Sequence, residues 1–200
     1  KQDLVILDRE TDIGQPIFEE AQKARLGVVV HAEHYSVNST DNQYILWNNY
    51  YDYQFTNADK VDFFIVATDR QKEVLAAQFE KYTQHSPAIY TIPVGSLESL
   101  PQKDSRKPFS LITASRLATE KHIDWLIRAV VEAKKELPAL SFDIYGKGGE
   151  EEKLRSLIEE LGAMDYIQLK GHMDLTAIYK DYEVYLSAST SEGFGLTLME

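Results

Sequence analysis

Three short segments carry residue types that can do chemistry, and each sits where a strand gives way to a helix. The first is Ser115-Arg116-Leu117-Ala118-Thr119-Glu120-Lys121. Lys121 reads as the opening of the following helix, where a cation is electrostatically misplaced because that end already carries partial positive charge. Arg116 and Lys121 make sense together there if they share an anion such as a diphosphate. A surface loop with solvated charges fits the same residues equally well. The second segment is Ile144-Tyr145-Gly146-Lys147-Gly148-Gly149. Its glycines permit a tight turn and close backbone approach to a ligand. It is neither a full dinucleotide fingerprint nor a Walker pattern, and a turn needing positive φ explains it as well. The third runs from Ser189 to Glu200 (STSEGFGLTLME). Gly193 and Gly195 expose amides ahead of a helix, while Glu192 and Glu200 can accept hydrogen bonds from hydroxyl-rich ligands such as a sugar and a ribose. Acidic residues complementing a helix dipole are the plain alternative.

The elements that must position these segments alternate in type. Strands are expected at Leu4–Leu7, Gly27–His31, Phe63–Ala67, Ala88–Ile92, Phe109–Ala114, Leu140–Tyr145, Tyr166–Leu169 and Val184–Ser187. Helices are expected at Gln15–Leu26, Arg70–Lys81 (capped by Thr68), Lys121–Leu137, Glu150–Leu161 and Leu175–Lys180. In the third of these, Trp125, Leu126, Ala129, Val130, Ala133 and Leu137 would share one face. Apolar strands alternating with amphipathic helices predict α/β architecture with parallel sheets covered on both faces. The polar, proline-bearing stretch 97–108 reads as a linker. It divides a first Rossmann-like half, 1–96, from a second, 109–200. Both halves are expected to be incomplete, the chain being a piece of a longer protein.

Composition narrows the partners. At 44% hydrophobic and 26% charged residues, the 200-residue chain is too apolar for wholesale disorder. Its formal net charge of −11 repels phosphate at long range, which argues against nucleic acid as a partner. Any phosphate must be held by a local cluster of cations or amides. Cysteine is absent, which excludes disulfides, thiolate metal sites and a cysteine nucleophile.

Taken together, the segments resemble the retaining GT-B glycosyltransferases of the large α-glycosyltransferase family 4. Arg116, Glu120 and Lys121 match its R-L-x-x-E-K pattern, Gly146-Lys147-Gly148 its G-x-G turn, and Glu192 with Glu200 its E-x7-E signature. Ile92-Pro93-Val94-Gly95 falls at the usual domain boundary. Ser115 stands where glycine is commoner and Val94 where asparagine is commoner, and neither change removes a functional side chain. The resemblance implies two Rossmann-like domains facing a cleft, with the donor held by the second. It implies that Arg116 and Lys121 neutralise the donor diphosphate. Glu192 and the backbone of Gly193, Phe194 and Gly195 would hold the donor sugar, Leu196 and Thr197 amides would meet phosphate, and Glu200 would bind ribose. Gly146, His172 and Met173 would line the nucleotide, the last two against the base. No Asp-x-Asp pair occurs in the chain, in keeping with a family that meets diphosphate charge with side-chain cations rather than a metal.

His31-Ala32-Glu33-His34 invites a metal reading, but no third ligand is evident, and a packed or loop-anchoring role is open. Our reading is that His31 faces the cleft and contacts the transferred sugar or the acceptor. The aromatic run Ile45–Phe55 reads as core plus part of a cleft wall. Together with the HAEHYS segment, that run resembles one subgroup. Its members are glycosylating subunits of a two-component enzyme that attaches N-acetylglucosamine to serine-rich repeat adhesins in Gram-positive bacteria. The resemblance therefore implies UDP-N-acetylglucosamine as donor with no metal cofactor, and a serine-rich protein as acceptor. It also implies a stabilising co-subunit and a cytoplasmic site of action, peripheral to the inner face of the membrane. Two rivals stand beside it: a wall teichoic acid glycosyltransferase with a polyol-phosphate acceptor, and a piece that binds UDP-sugar without turnover.

Overall fold

A computed structural model describes residues 3–8, 17, 24–31, 57–83, 85–95, 106–190, 192 and 194–199. The chain divides into two compact units, Lys1–Gly95 with Glu192–Phe194, and Ser96–Ser191 with Gly195–Glu200. Each holds a four-stranded, wholly parallel sheet.

In the first unit the strands are β1 (Leu4–Asp8), β2 (Arg25–Val30), β3 (Phe63–Val66) and β4 (Ala88–Thr91), side by side in chain order. Helix α1 (Asp69–Tyr82) links β3 to β4. Its start is set locally: the Thr68 hydroxyl accepts from the Gln71 amide at 3.1 Å. A cap of this kind contributes about 1 kcal/mol. Leu75 and Phe79, four residues apart, bring one face of α1 onto the sheet, where Phe79 meets Phe64 at 4.9 Å between ring centroids. Most of the expected helix Gln15–Leu26 lies outside the described residues, but its last two residues are not helical. Arg25 and Leu26 already belong to β2, because Leu26 pairs with Val5 and is buried in the core. The aromatic run Ile45–Phe55 lies outside the described residues.

The second unit contains β5 (Ser110–Ala114), α2 (Ile123–Ala133), β6 (Ser141–Tyr145), α3 (Glu151–Glu160), β7 (Ile167–Gly171), β8 (Val184–Tyr185) and the short α4 (Leu196–Met199). Its strand order is β7-β6-β5-β8. The chain steps outward from β5 to β7 and then returns to the other side of β5. The order reverses between β5 and β8, and in open parallel sheets ligands bind beyond the strand ends at such a switch point. Apolar side chains cover both faces. Phe142, Ile144, Ile127, Leu154 and Ile167 pack on one, and Ile112, Ala114 and Tyr145 on the other, with Leu175, Ile178, Tyr179, Tyr182 and Tyr185 against them.

Three expectations for this unit are corrected. Lys121 does not open α2. It closes a separate 3-10 turn, Thr119–Lys121, and His122 then turns the chain through a left-handed conformation (φ 45°, ψ 43°) before the helix begins. The buried stripe of α2 is Ile123, Leu126, Ile127 and Val130, the i, i+3, i+4, i+7 spacing of a helix face. Trp125 is 54% exposed, and Leu137 lies beyond the helix end. The expected helix Leu175–Lys180 is instead a run of turns ending in a 3-10 turn, Tyr179–Asp181. Its cause is upstream: the Asp174 carboxylate accepts from both the amide (3.0 Å) and the hydroxyl (2.7 Å) of Thr176, a local bond that competes with helix formation.

Candidate functional site

Beyond the carboxyl ends of β5, β6 and β7 lies a pocket of about 380 Å³, built wholly within the second unit. Ser115 and Arg116 come from the loop after β5, Gly146 and Lys147 from the turn after β6, and His172 to Thr176 from the turn after β7. Tyr145 and Tyr179 lie among the walls, and Thr197 contributes from α4.

Main-chain hydrogen bonds fasten these loops to one another. The Ser115 amide donates to Tyr145 O (3.1 Å), Leu117 to Lys147 O (3.0 Å), Glu150 to Leu117 O (3.0 Å) and Gly146 to Gly171 O (2.9 Å). Such close approach explains two glycines. A Cβ at Gly146, whose φ is +138°, would lie 1.8 Å from Ser115 O, and one at Gly148 would lie 2.2 Å from Leu117 O. The G-x-G turn is thus required by backbone packing against the neighbouring loop. A one-residue irregularity completes the rim: Ile144 sits opposite Leu169, but Tyr145 opposite Gly171. Bulges of this kind re-aim the chain beside functional sites, and here His172 and Met173 follow directly.

Side chains then hold the walls. The Tyr185 hydroxyl donates to Ala114 O (3.0 Å) and shares a hydrogen bond with Thr197 Oγ1 (3.1 Å), tying α4 to the end of β5. Tyr182 donates to Asp143 (2.5 Å) and lies 3.0 Å from Tyr145 Oη. Burial, and then the bond to Asp143, raises the Tyr182 phenol well above its usual range, so it stays neutral. Asp174 is shifted the other way: its bonds to the Thr176 amide and hydroxyl hold its carboxyl below the ordinary value.

Of the residues singled out in the sequence, the pocket brings together Arg116, Gly146, His172, Met173 and Thr197. Arg116 is 73% exposed at its side chain, and its Nη2 donates to Glu120 Oε1 at 2.8 Å. Lys121, half-buried, is not among the lining residues. Gly195 is buried at φ +76° immediately before α4, and Leu196 is exposed. Glu192 and Phe194 group with the first unit, as does His31, which follows β2 and pairs with Asp8 at the end of β1. Gly193, Glu200 and His34 lie outside the described residues. Sequence reasoning missed Lys147, Tyr179 and Tyr185. Lys147 had a legible signal, being a cation between two glycines; the tyrosines depend on contacts distant in the chain.

The model of the glycosyl transferases group 1 family matches residues 98–200, which include every pocket residue. The chain belongs to that family. This group 1 glycosyl transferase is 74% identical over 201 residues to the UDP-N-acetylglucosamine–peptide N-acetylglucosaminyltransferase GtfA subunit of Streptococcus pneumoniae. The match covers 100% of the chain and 40% of that protein. Among solved structures it is similar to the pneumococcal O-GlcNAc transferase GtfA in complex with UDP and GlcNAc. There the TM-score is 0.87 at 74% identity, over 98% of the chain and 39% of the other. It is similar also to a GtfA/B complex, at TM-score 0.78 and 69% identity over 98% and 39% of the two chains. The group 1 glycosyl transferase chain therefore spans about two fifths of the length of these relatives.

Proposed function

We propose that the chain supplies the nucleotide-sugar pocket of an enzyme that moves N-acetylglucosamine from UDP-N-acetylglucosamine to serine or threonine hydroxyls of a serine-rich protein. The anomeric configuration would be retained. The observation that carries this reading is the switch-point pocket, whose wall joins Arg116 to Thr197 in a chain 74% identical to a GtfA subunit. Arg116 and Lys121 would stabilise the charge that develops on the departing diphosphate, the role of a preorganised cation. Leu196 and Thr197 would offer amides to phosphate, with Glu192 and the backbone of Gly193, Phe194 and Gly195 toward the sugar and Glu200 toward ribose. His172 and Met173 would lie against the base, and His31 would meet the transferred sugar or the acceptor. This reading needs no metal, because the positive charge comes from side chains. It includes a GtfB-like co-subunit, a serine-rich adhesin as acceptor, and action in the cytoplasm beside the membrane. Among the described residues no helix is long and apolar enough to cross a membrane.

Mass spectrometry of a serine-rich acceptor tests it, after incubation of the full-length protein and its co-subunit with UDP-N-acetylglucosamine. Mass increments of N-acetylhexosamine are expected, and Lys121→Ala abolishes them. Near-wild-type turnover by Lys121→Ala refutes that residue's role. Transfer onto polyol phosphate and not onto the serine-rich chain refutes the acceptor. UDP binding with no transfer to either refutes turnover.

A further inference from the structure

His122 and Thr190 are distant in sequence, and neither lines the pocket. His122 occupies a left-handed backbone conformation that non-glycine residues adopt at a cost and that persists only where the surroundings hold it. Two contacts hold it here. The imidazole stacks on Trp125 with centroids 3.9 Å apart and planes at 17°, and its Nε2 lies 3.2 Å from Thr190 Oγ1. Thr190 also reaches Glu120. Its amide donates to Glu120 O at 3.1 Å, and its hydroxyl donates to the same oxygen at 3.4 Å. A carbonyl can only accept, so the hydroxyl proton goes to Glu120 O and the hydroxyl oxygen is left to accept from His122 Nε2–H. Glu120 in turn receives Arg116 through its carboxylate.

We infer that Thr190 and His122 form a clamp that positions the Arg116–Lys121 loop, fastening it to the segment that leads from β8 into α4. Arg116, at one end of that arrangement, lines the pocket together with Thr197, which Tyr185 ties to the end of β5. Thr190 and His122 are positioning residues, since neither touches the pocket. The inference rests on the donor reading above: a cation held in place before reaction stabilises the departing charge without reorganising, so loosening the clamp lowers kcat more than it raises KM.

The test uses the full-length protein with its co-subunit. Thr190→Val keeps the amide but removes the hydroxyl. Hydrogen exchange at residues 116–122 rises severalfold in Thr190→Val and returns to the wild-type rate in Thr190→Ser. Transfer kinetics follow: kcat falls roughly tenfold with KM for UDP-N-acetylglucosamine within about twofold, and Thr190→Ser restores it. His122→Asn, which tolerates the left-handed conformation, retains more activity than His122→Ala. Unchanged exchange in Thr190→Val overturns the clamp. Raised exchange with unchanged kcat, in a wild type that transfers, overturns its role in positioning. A wild type that transfers nothing refutes the donor reading instead, and exchange still decides whether the clamp exists.

Discussion

At the scale of single residues, the pocket sets cations against one tethered carboxylate. Arg116 shares its charge with Glu120, whereas Lys147 lines the pocket and, among the described residues, has no ion-pair partner. Lys147 is therefore the freer of the two to meet an incoming phosphate. Replacing it with alanine should weaken UDP several-fold while leaving uridine unchanged, because only the former carries charge; calorimetric titration of both ligands measures the difference. Equal losses for UDP and uridine would assign Lys147 to shape rather than charge. Asp174 gives a pH-dependent prediction. Its folded carboxyl is held below its unfolded value, first by the Thr176 amide and then by the Thr176 hydroxyl. The turn it closes is therefore fully formed above the ordinary carboxylate range, and it is lost only as pH falls through the depressed folded value. A carbon-detected NMR titration of Asp174, read with the Thr176 amide shift, should show a midpoint below that of an unstructured aspartate. A midpoint at or above it contradicts the turn. Tyr182 runs in the opposite sense. Its raised phenol pKa contributes stability in full below the usual tyrosine value, and that contribution is lost only as pH climbs through the raised value.

At the scale of elements, backbone meets backbone. The turn after β6 touches the loop after β5 so closely that a methyl group at Gly148 would collide with the Leu117 carbonyl. Gly148→Ala should cost about 1–3 kcal/mol, as overpacking generally does, read as a lower denaturation midpoint in urea. An unchanged midpoint would mean that the loops can part. Such contacts also explain which features the sequence discloses. Thr68 caps α1 through a bond three residues away, so its role is readable in the sequence. The alternation of apolar runs made the parallel sheets readable for the same local reason. The glycines after β6 announced a turn, but their partner carbonyls lie about 30 residues upstream, out of reach of any local pattern. Lys121 was misread as a helix start because nothing in T-E-K-H marks a histidine as left-handed; that conformation is held by Trp125 and Thr190, one local and one 68 residues distant. Leu175–Lys180 carried a helical look that the Asp174–Thr176 bond overrode.

At the scale of the whole molecule, charge governs who approaches. The chain carries a formal −11, yet its pocket wall presents Arg116 and Lys147. The serine and threonine side chains of the proposed acceptor carry no charge and add no long-range repulsion, whereas every phosphate of a polyol-phosphate chain does. With saturating donor, transfer to the serine-rich acceptor should hold steady between roughly 50 and 200 mM salt, and excess polyol phosphate should not compete, since screening changes only charged encounters. Strong competition would favour the polyanionic acceptor. The fastening of three loops by amide-to-carbonyl bonds has one further consequence. Those bonds are indifferent to side-chain identity, so the platform under the pocket keeps its shape whatever His172, Met173 or Lys147 become. Natural drift or a designer can retune which ligand is read at that rim, leaving the masonry undisturbed.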